Sequence, residues 1–388
     1  MCMGPRFAEP RSLLILASLV ILPLLRTAEP SSSGAVLSQT GMVTEIAHMQ
    51  IARAGHSSTL LPNGKVLVAG GFGGSGTESN PFRSTELYDP TKRTFEPAAD
   101  MTVGRSGHTA TLLRNGKVLI VGGWTGRYNV RRSAELYDPA TGTFAATGDL
   151  LIERAGNTAT LLDDGRVLIA GGVDREENAI ASAEIYDPAT GKFNLTASMN
   201  EPRGAHTATL LKNGKVLIAG GGSGHYPSQS VYRSAELYDP VTGKFSFTGE
   251  MAVARHKHAA ILLPSGRILV LGGSDNRDWR GEYSSAEIYS PGSGTFGMTG
   301  SMGIPRFKMP AAVALLLNGR VLVAGGGRLA ELYDETDTSF ERAGGDFDAA
   351  RYFASVTLIP SGEALITGGY AASGDGLPST SKAWVYQP

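Results

Sequence analysis

A Gly-Gly pair that closes a short hydrophobic run recurs seven times and sets the architecture of the chain. It ends at Gly71, Gly123, Gly172, Gly221, Gly273, Gly326 and Gly369, at spacings of 52, 49, 49, 52, 53 and 43 residues. A period near 50 with this signature indicates a propeller rather than a helical solenoid. Each unit carries four strand signals. The first two, as in His206-Thr-Ala-Thr-Leu-Leu211 and Lys215-Val-Leu-Ile-Ala219, are apolar runs too short for helices. Asn63-Gly64, Asn115-Gly116, Asn213-Gly214 and Asn318-Gly319 separate them, which predicts type I′ hairpins. The third strand, Ala-Glu-Leu-Tyr, ends at an Asp-Pro turn whose Gly accepts the left-handed position, and the fourth begins at a phenylalanine.

The two ends complete the count. The last unit stops at Trp384-Val-Tyr386-Gln-Pro388, one strand short, while Gly41 to Met49 matches the fourth-strand segment of the other units. The expected fold is therefore all-β: a single seven-bladed β-propeller of four-stranded blades over residues 41–388. The N-terminal strand completes the last blade and removes the exposed edges of an open sheet.

With its seven Gly-Gly units, six Tyr-Asp-like turns and Arg-x-x-His entries, the chain resembles the kelch family over residues 41–388. The resemblance is to the secreted bacterial type related to the propeller of galactose oxidase. It is specific for fold and weak for function, since such propellers serve as enzymes, carbohydrate binders and protein docks alike. In galactose oxidase the family uses copper with a tyrosine cross-linked to cysteine. The one cysteine here is Cys2, so a copper radical oxidase is rejected and no cofactor or metal is expected.

Residues 1–28 read as a signal peptide. Arg6 and Arg11 precede an apolar run, Ser12 to Leu25, shorter than a membrane span. An uncleaved anchor is the alternative, because Arg26 sits poorly before a cut after Ala28. Residues 29–40, with Pro30-Ser-Ser-Ser-Gly34, read as a flexible linker. A secreted or periplasmic protein follows, expected to be a monomer with no membrane contact beyond such an anchor. A net charge of −1 gives no basic excess, which argues against nucleic acid.

Seven arginines share one position: Arg53, Arg105, Arg154, Arg203, Arg255, Arg306 and Arg351. A residue repeated in every unit reads as structural. The natural partners are Glu86, Glu135, Glu184, Glu236, Glu287 and Glu331, but Trp384 stands where the seventh is due. Arg351 or its neighbour Arg53 is therefore expected to lack a carboxylate and to be free for an anionic ligand. His56, His108, His206 and His258 also share one position, expected to be too widely spaced for a metal.

Function is sought where the repeat is broken. The loops after Gly-Gly differ in length and emerge on the face of the arginine entries. Candidate ligand-binding residues are Trp124, Arg127 and Tyr128 in the second unit, His225 and Tyr226 in the fourth, Asp275, Arg277 and Trp279 in the fifth, and Arg351. The sixth loop, Gly327-Arg-Leu329, is short and is expected to leave a gap in the rim. Aromatic faces beside planar polar groups suit a carbohydrate, or an extracellular protein partner. Asp275 and Asp278 are a candidate acid/base pair, but binding is favoured over catalysis. A cofactor-free sugar enzyme, which the resemblance to sialic acid mutarotases implies, and an interaction scaffold are the alternatives.

Overall fold

A computed structural model describes residues 41–74, 81–126, 129–224, 228–371 and 378–388. The leader and linker, together with Arg127, Tyr128, His225 and Tyr226, lie outside the described residues.

Seven antiparallel four-stranded sheets are arranged as blades. In blade 1 the order is Ser57–Leu60, Val66–Ala69, Thr85–Asp89, Thr94–Pro97, and the same succession repeats through blade 6. Blade 7 takes Ser355–Leu358, Ala364–Thr367 and Ala383–Gln387 from the C-terminal end, and Met42–Glu45 pairs with the last of these, Val43 opposite Tyr386. The first strands of successive blades contact one another around a central channel, and Ser355–Leu358 meets Ser57–Leu60 to close the ring. Beyond the strands, the described residues hold one short 3-10 turn, Asp278–Arg280, in the fifth loop.

Burial explains the strand order. Every second strand is wholly buried, as in Val118–Val121 and Ile268–Leu271. Alternate side chains of each face the neighbouring blade: Leu67 and Ala69 pack with Val118, Ile120 and Tyr137. Each such Val, Leu or Ile removed from water contributes roughly 1.5–3 kcal/mol. The third-strand Tyr and fourth-strand Phe form a tilted ring pair in blades 1 to 6, with centroids 4.8 or 4.9 Å apart.

The first hairpins differ from the sequence expectation. Gly64, Gly116, Gly214 and Gly319 have φ of +78° to +84°, but the preceding asparagines do not enter the left-handed region, so the turns are not type I′. Leu61 N–H bonds Lys65 C=O, and Gly64 N–H bonds Leu61 C=O, enclosing the three-residue loop Pro62-Asn63-Gly64. Asn63 instead accepts the Lys65 N–H at 3.1 Å. Its side chain stabilises the turn without a left-handed backbone, and only the glycine supplies positive φ.

Candidate functional site

The repeated arginines are fully internal. Arg53, Arg105, Arg154, Arg203, Arg255 and Arg306 are 0% exposed. Each pairs with the third-strand glutamate of its blade, at 2.7 to 3.1 Å. Each also donates to the carbonyl of the first glycine of the Gly-Gly pair, as Arg255 Nη1 does to Gly272 at 2.7 Å. The glutamates accept backbone N–H groups as well: Glu287 takes those of Ala252 and Val253.

In blade 7 the expected vacancy is filled. Trp384 lies under Arg351, with the guanidinium carbon 5.4 Å from its ring centroid. Arg351 pairs with Asp348, which also meets Lys382 at 3.1 Å. Both Arg53 and Arg351 thus have carboxylates, and no free guanidinium arises from the missing glutamate. Asp348 lies three residues before its arginine, outside the repeat pattern, so the repeat gave no signal of it.

The four histidines are neutral ties between blades. His108 Nε2 meets Ser57 Oγ at 2.9 Å, His206 meets Thr158 at 3.0 Å, His258 meets Thr207 at 3.0 Å, and His56 meets Thr367 at 2.8 Å. Burial first, then the adjacent arginine, pushes His56, His108 and His206 down to about 3.

The third residue of each Arg-x-x entry lies at the mouth of the channel, where the fold requires a left-handed backbone. It is Gly55, Gly107 and Gly156 in blades 1 to 3, but Ala205, Lys257, Lys308 and Phe353 in blades 4 to 7. All have φ between +52° and +61°. Backbone hydrogen bonds link several of these positions from blade to blade: Gly107 N–H to Gly55, Gly156 N–H to Gly107, Lys257 N–H to Ala205, Phe353 N–H to Lys308 and Gly55 N–H to Phe353. Holding a side chain in that conformation costs of order 1–3 kcal/mol per residue. Glycine satisfies the geometry in three blades, while four carry a side chain there, two of them lysines.

A cavity of about 460 Å³ opens inside this girdle, lined by Gly55, Gly107, Trp124, Lys257, Pro310 and Phe353 among others. Trp124 lies over Gly107 and Gly156: a Cβ at Gly107 would fall 2.6 Å from the indole. On the other side, Trp279 from the fifth loop packs edge-on against Phe307 and Tyr352, at 4.7 and 4.9 Å. Trp279 thus reaches the entries of blades 6 and 7 and keeps 39% of its surface exposed.

The lysines are arranged asymmetrically around this tryptophan. Lys308 Nζ lies 3.8 Å from the Trp279 ring centroid and donates to Tyr370 Oη at 2.8 Å. Lys257 Nζ pairs with Asp278 at 2.7 Å, with His256 Nε2 3.5 Å from the same oxygen. Burial, then repulsion from Lys257, pushes the Lys308 amine down to about 8. Burial would raise Asp278, but His256, Lys257 and Lys308 together hold it well below the usual carboxylate range. Glu282 behaves oppositely: burial outweighs the attraction of Lys308 and pushes it up to about 7. Burial and then Glu282 push the Tyr352 hydroxyl up to about 12.

The candidate acid/base pair of aspartates is not supported. Arg277 chelates Asp275, with Nη2 2.6 Å from Oδ2, and this bond leads the causes that keep Asp275 below its ordinary value. Neither aspartate holds a proton near neutrality. Among the described residues it is Glu282 whose carboxyl is pushed up to about 7, and in sequence it reads as an ordinary loop residue because its burial is tertiary. Of the described candidates, Trp124 lines the cavity, Trp279 stands at the lysine cluster and Arg277 is committed to Asp275.

The Kelch motif family model matches residues 53–102, 104–148 and 154–200. Among solved structures, the chain is similar to a fungal alcohol oxidase of the AA5 family in complex with copper. The identity is 16% and the TM-score 0.70, over 90% of this chain and 77% of that one. It is also similar to YjhT, at 14% identity and a TM-score of 0.54, over 63% of this chain and 84% of that one. No curated protein matches in sequence. A copper site does not fit here: among the described residues no three His, Cys, Asp or Glu side chains group to hold a metal. The ring histidines are each committed to a hydroxyl of the preceding blade.

Proposed function

Taking the chain as a seven-bladed propeller that carries Kelch motifs, we propose that it is a binding module whose channel mouth takes a carbohydrate bearing an acidic group. The observation that carries this reading is the departure from ring symmetry. Lysines stand at adjacent girdle positions: Lys308 lies against the partly exposed Trp279, and Lys257, which lines the cavity, pairs with the neighbouring Asp278. An indole face stacks on a sugar ring, and the Lys308 ammonium, charged below about pH 8, favours a carboxylate, while Lys257 anchors the fifth loop through Asp278. Trp124, which follows the second Gly-Gly pair, lines the cavity beside the girdle glycines. Export through the N-terminal leader belongs to the same proposal, since acidic glycans of cell surfaces and matrix lie outside the cytoplasm.

A sugar-active enzyme of the mutarotase-like kind is the second reading, favoured by one observation: Glu282 and Lys308 have proton affinities displaced toward each other. The first reading is tested by applying the chain to immobilised neutral and acidic glycans, with Trp279→Ala and Lys257→Ala beside it. Binding restricted to acidic glycans and lost in both variants supports it. Binding that ignores both substitutions removes the mouth as the site.

A further inference from the structure

We propose that Lys308 is a carbonyl-reactive amine that captures the open-chain aldehyde of a reducing sugar as a Schiff base. The inference rests on the carbohydrate reading of the channel mouth and adds a covalent step to it.

Three features meet at this residue. Its backbone holds φ of +53°, which costs stability at a position where glycine serves three other blades. Its side chain is nine-tenths buried, and among the described residues its ammonium has no carboxylate within ion-pairing distance; Tyr370 Oη is its hydrogen-bond partner. Three aromatic rings surround it, Trp279 at 3.8 Å, Phe307 at 5.0 Å and Tyr370 at 5.6 Å. Desolvation of this kind activates a lysine as a nucleophile by favouring its neutral form. The six other residues at this ring position include one lysine, Lys257, and that one is neutralised by Asp278.

The second group is Glu282. No side-chain hydrogen bond or ion pair ties it down among the described residues, yet it and Lys308 act on each other electrostatically. The backbone brings the two into one neighbourhood, because Tyr283, next to Glu282, bridges Arg306, two residues before Lys308. Burial keeps a proton available on Glu282 near neutrality, and Lys308 titrates within reach of the same pH.

The step balances without an external reagent. The neutral Lys308 nitrogen adds to the aldehyde carbon, and one N–H proton passes to the former carbonyl oxygen, giving a carbinolamine. The nitrogen lone pair then expels the hydroxyl, which takes the Glu282 proton and leaves as water. The Glu282 carboxylate recovers the remaining N–H proton and a neutral imine stays on Lys308. Water reverses the sequence.

The test uses the full chain with D-galacturonate, an acidic reducing sugar, and with its methyl glycoside, which cannot open to an aldehyde. Cyanoborohydride reduces any imine to a stable amine, located by intact-mass measurement and peptide mapping. The expected result is one adduct per chain at Lys308, absent in Lys308→Arg and slowed about a hundredfold in Glu282→Gln, the scale of a lost proton donor. The methyl glycoside competes with labelling without being trapped. Thermal melting of both variants, unchanged from the parent, rules out misfolding as the cause. Labelling confined to exposed lysines such as Lys92 overturns the inference. If the methyl glycoside still binds in that case, by saturation-transfer NMR, the carbohydrate reading survives alone; if neither sugar binds, both fall.

Discussion

The ammonium of Lys308 and the ring of Trp279 lie 3.8 Å apart although they belong to different blades. The contact joins the fifth loop to the entry of blade 6. It places a buried cation beneath a partly exposed indole at the mouth of the channel, where a cation–π contact offsets part of the amine's lost hydration.

That lost hydration has a pH signature. The Lys308 amine titrates at about 8 in the folded chain and near 10.4 when unfolded. Between those values the unfolded chain binds more protons, so stability rises with pH through the window, by about 3 kcal/mol in all. Urea unfolding from pH 7 to 10.5 should show this rise in the parent and a flatter profile in Lys308→Met. Equal profiles would mean the amine is solvated.

The buried arginine pairs should respond asymmetrically to substitution. Glu287→Ala leaves Arg255 charged and without its carboxylate inside a fully buried site, at a cost of about 3–5 kcal/mol. Replacing both residues should cost less than the sum of the single changes. Strict additivity in denaturant unfolding would show that the pair is not coupled.

The ring histidines make the fold acid-sensitive above the usual carboxylate range. His108 titrates at about 3 when folded and near 6.5 when unfolded, so from pH 6.5 downward the unfolded state takes up a proton the native state refuses. Stability then falls by about 1.4 kcal/mol per pH unit for this residue. His108→Gln, which can still reach Ser57, should lose less stability between pH 7 and 5 than the parent. An unchanged slope would place the proton elsewhere.

Two glycines with the same backbone separate strain from crowding. Gly107 (φ +59°) lies under Trp124, and Gly142 (φ +69°) has nothing near a would-be Cβ. Gly142→Ala should cost about 1 kcal/mol from conformation. Gly107→Ala should cost more and shift the tryptophan fluorescence as Trp124 is displaced. Equal costs would remove the indole from the girdle.

The fold was legible in the sequence because a repeated residue reports a repeated environment. The Gly-Gly count, the Ala-Glu-Leu-Tyr strands and the split last blade each had seven instances or a visible missing one. The hairpin type was misread because Asn-Gly serves two turn geometries, and the strand spacing here uses the three-residue form. The site was only partly legible. Trp279 and Trp124 stood out as aromatic residues in variable loops. Lys257 and Lys308 occupy a glycine position whose positive φ is invisible without the backbone, and Glu282 gains its proton from tertiary burial. Arg351 was singled out by a missing glutamate, but Trp384 and Asp348 fill that place from outside the repeat.

The most direct test of the central claim is calorimetric titration of the chain with an acidic oligosaccharide and its carboxyl-reduced counterpart, in the parent and in Lys257→Ala and Trp279→Ala. Binding of the acidic form alone, weakened at least tenfold by either substitution, is the expected result. Equal binding of both sugars, or affinity untouched by either change, would contradict a site at the channel mouth.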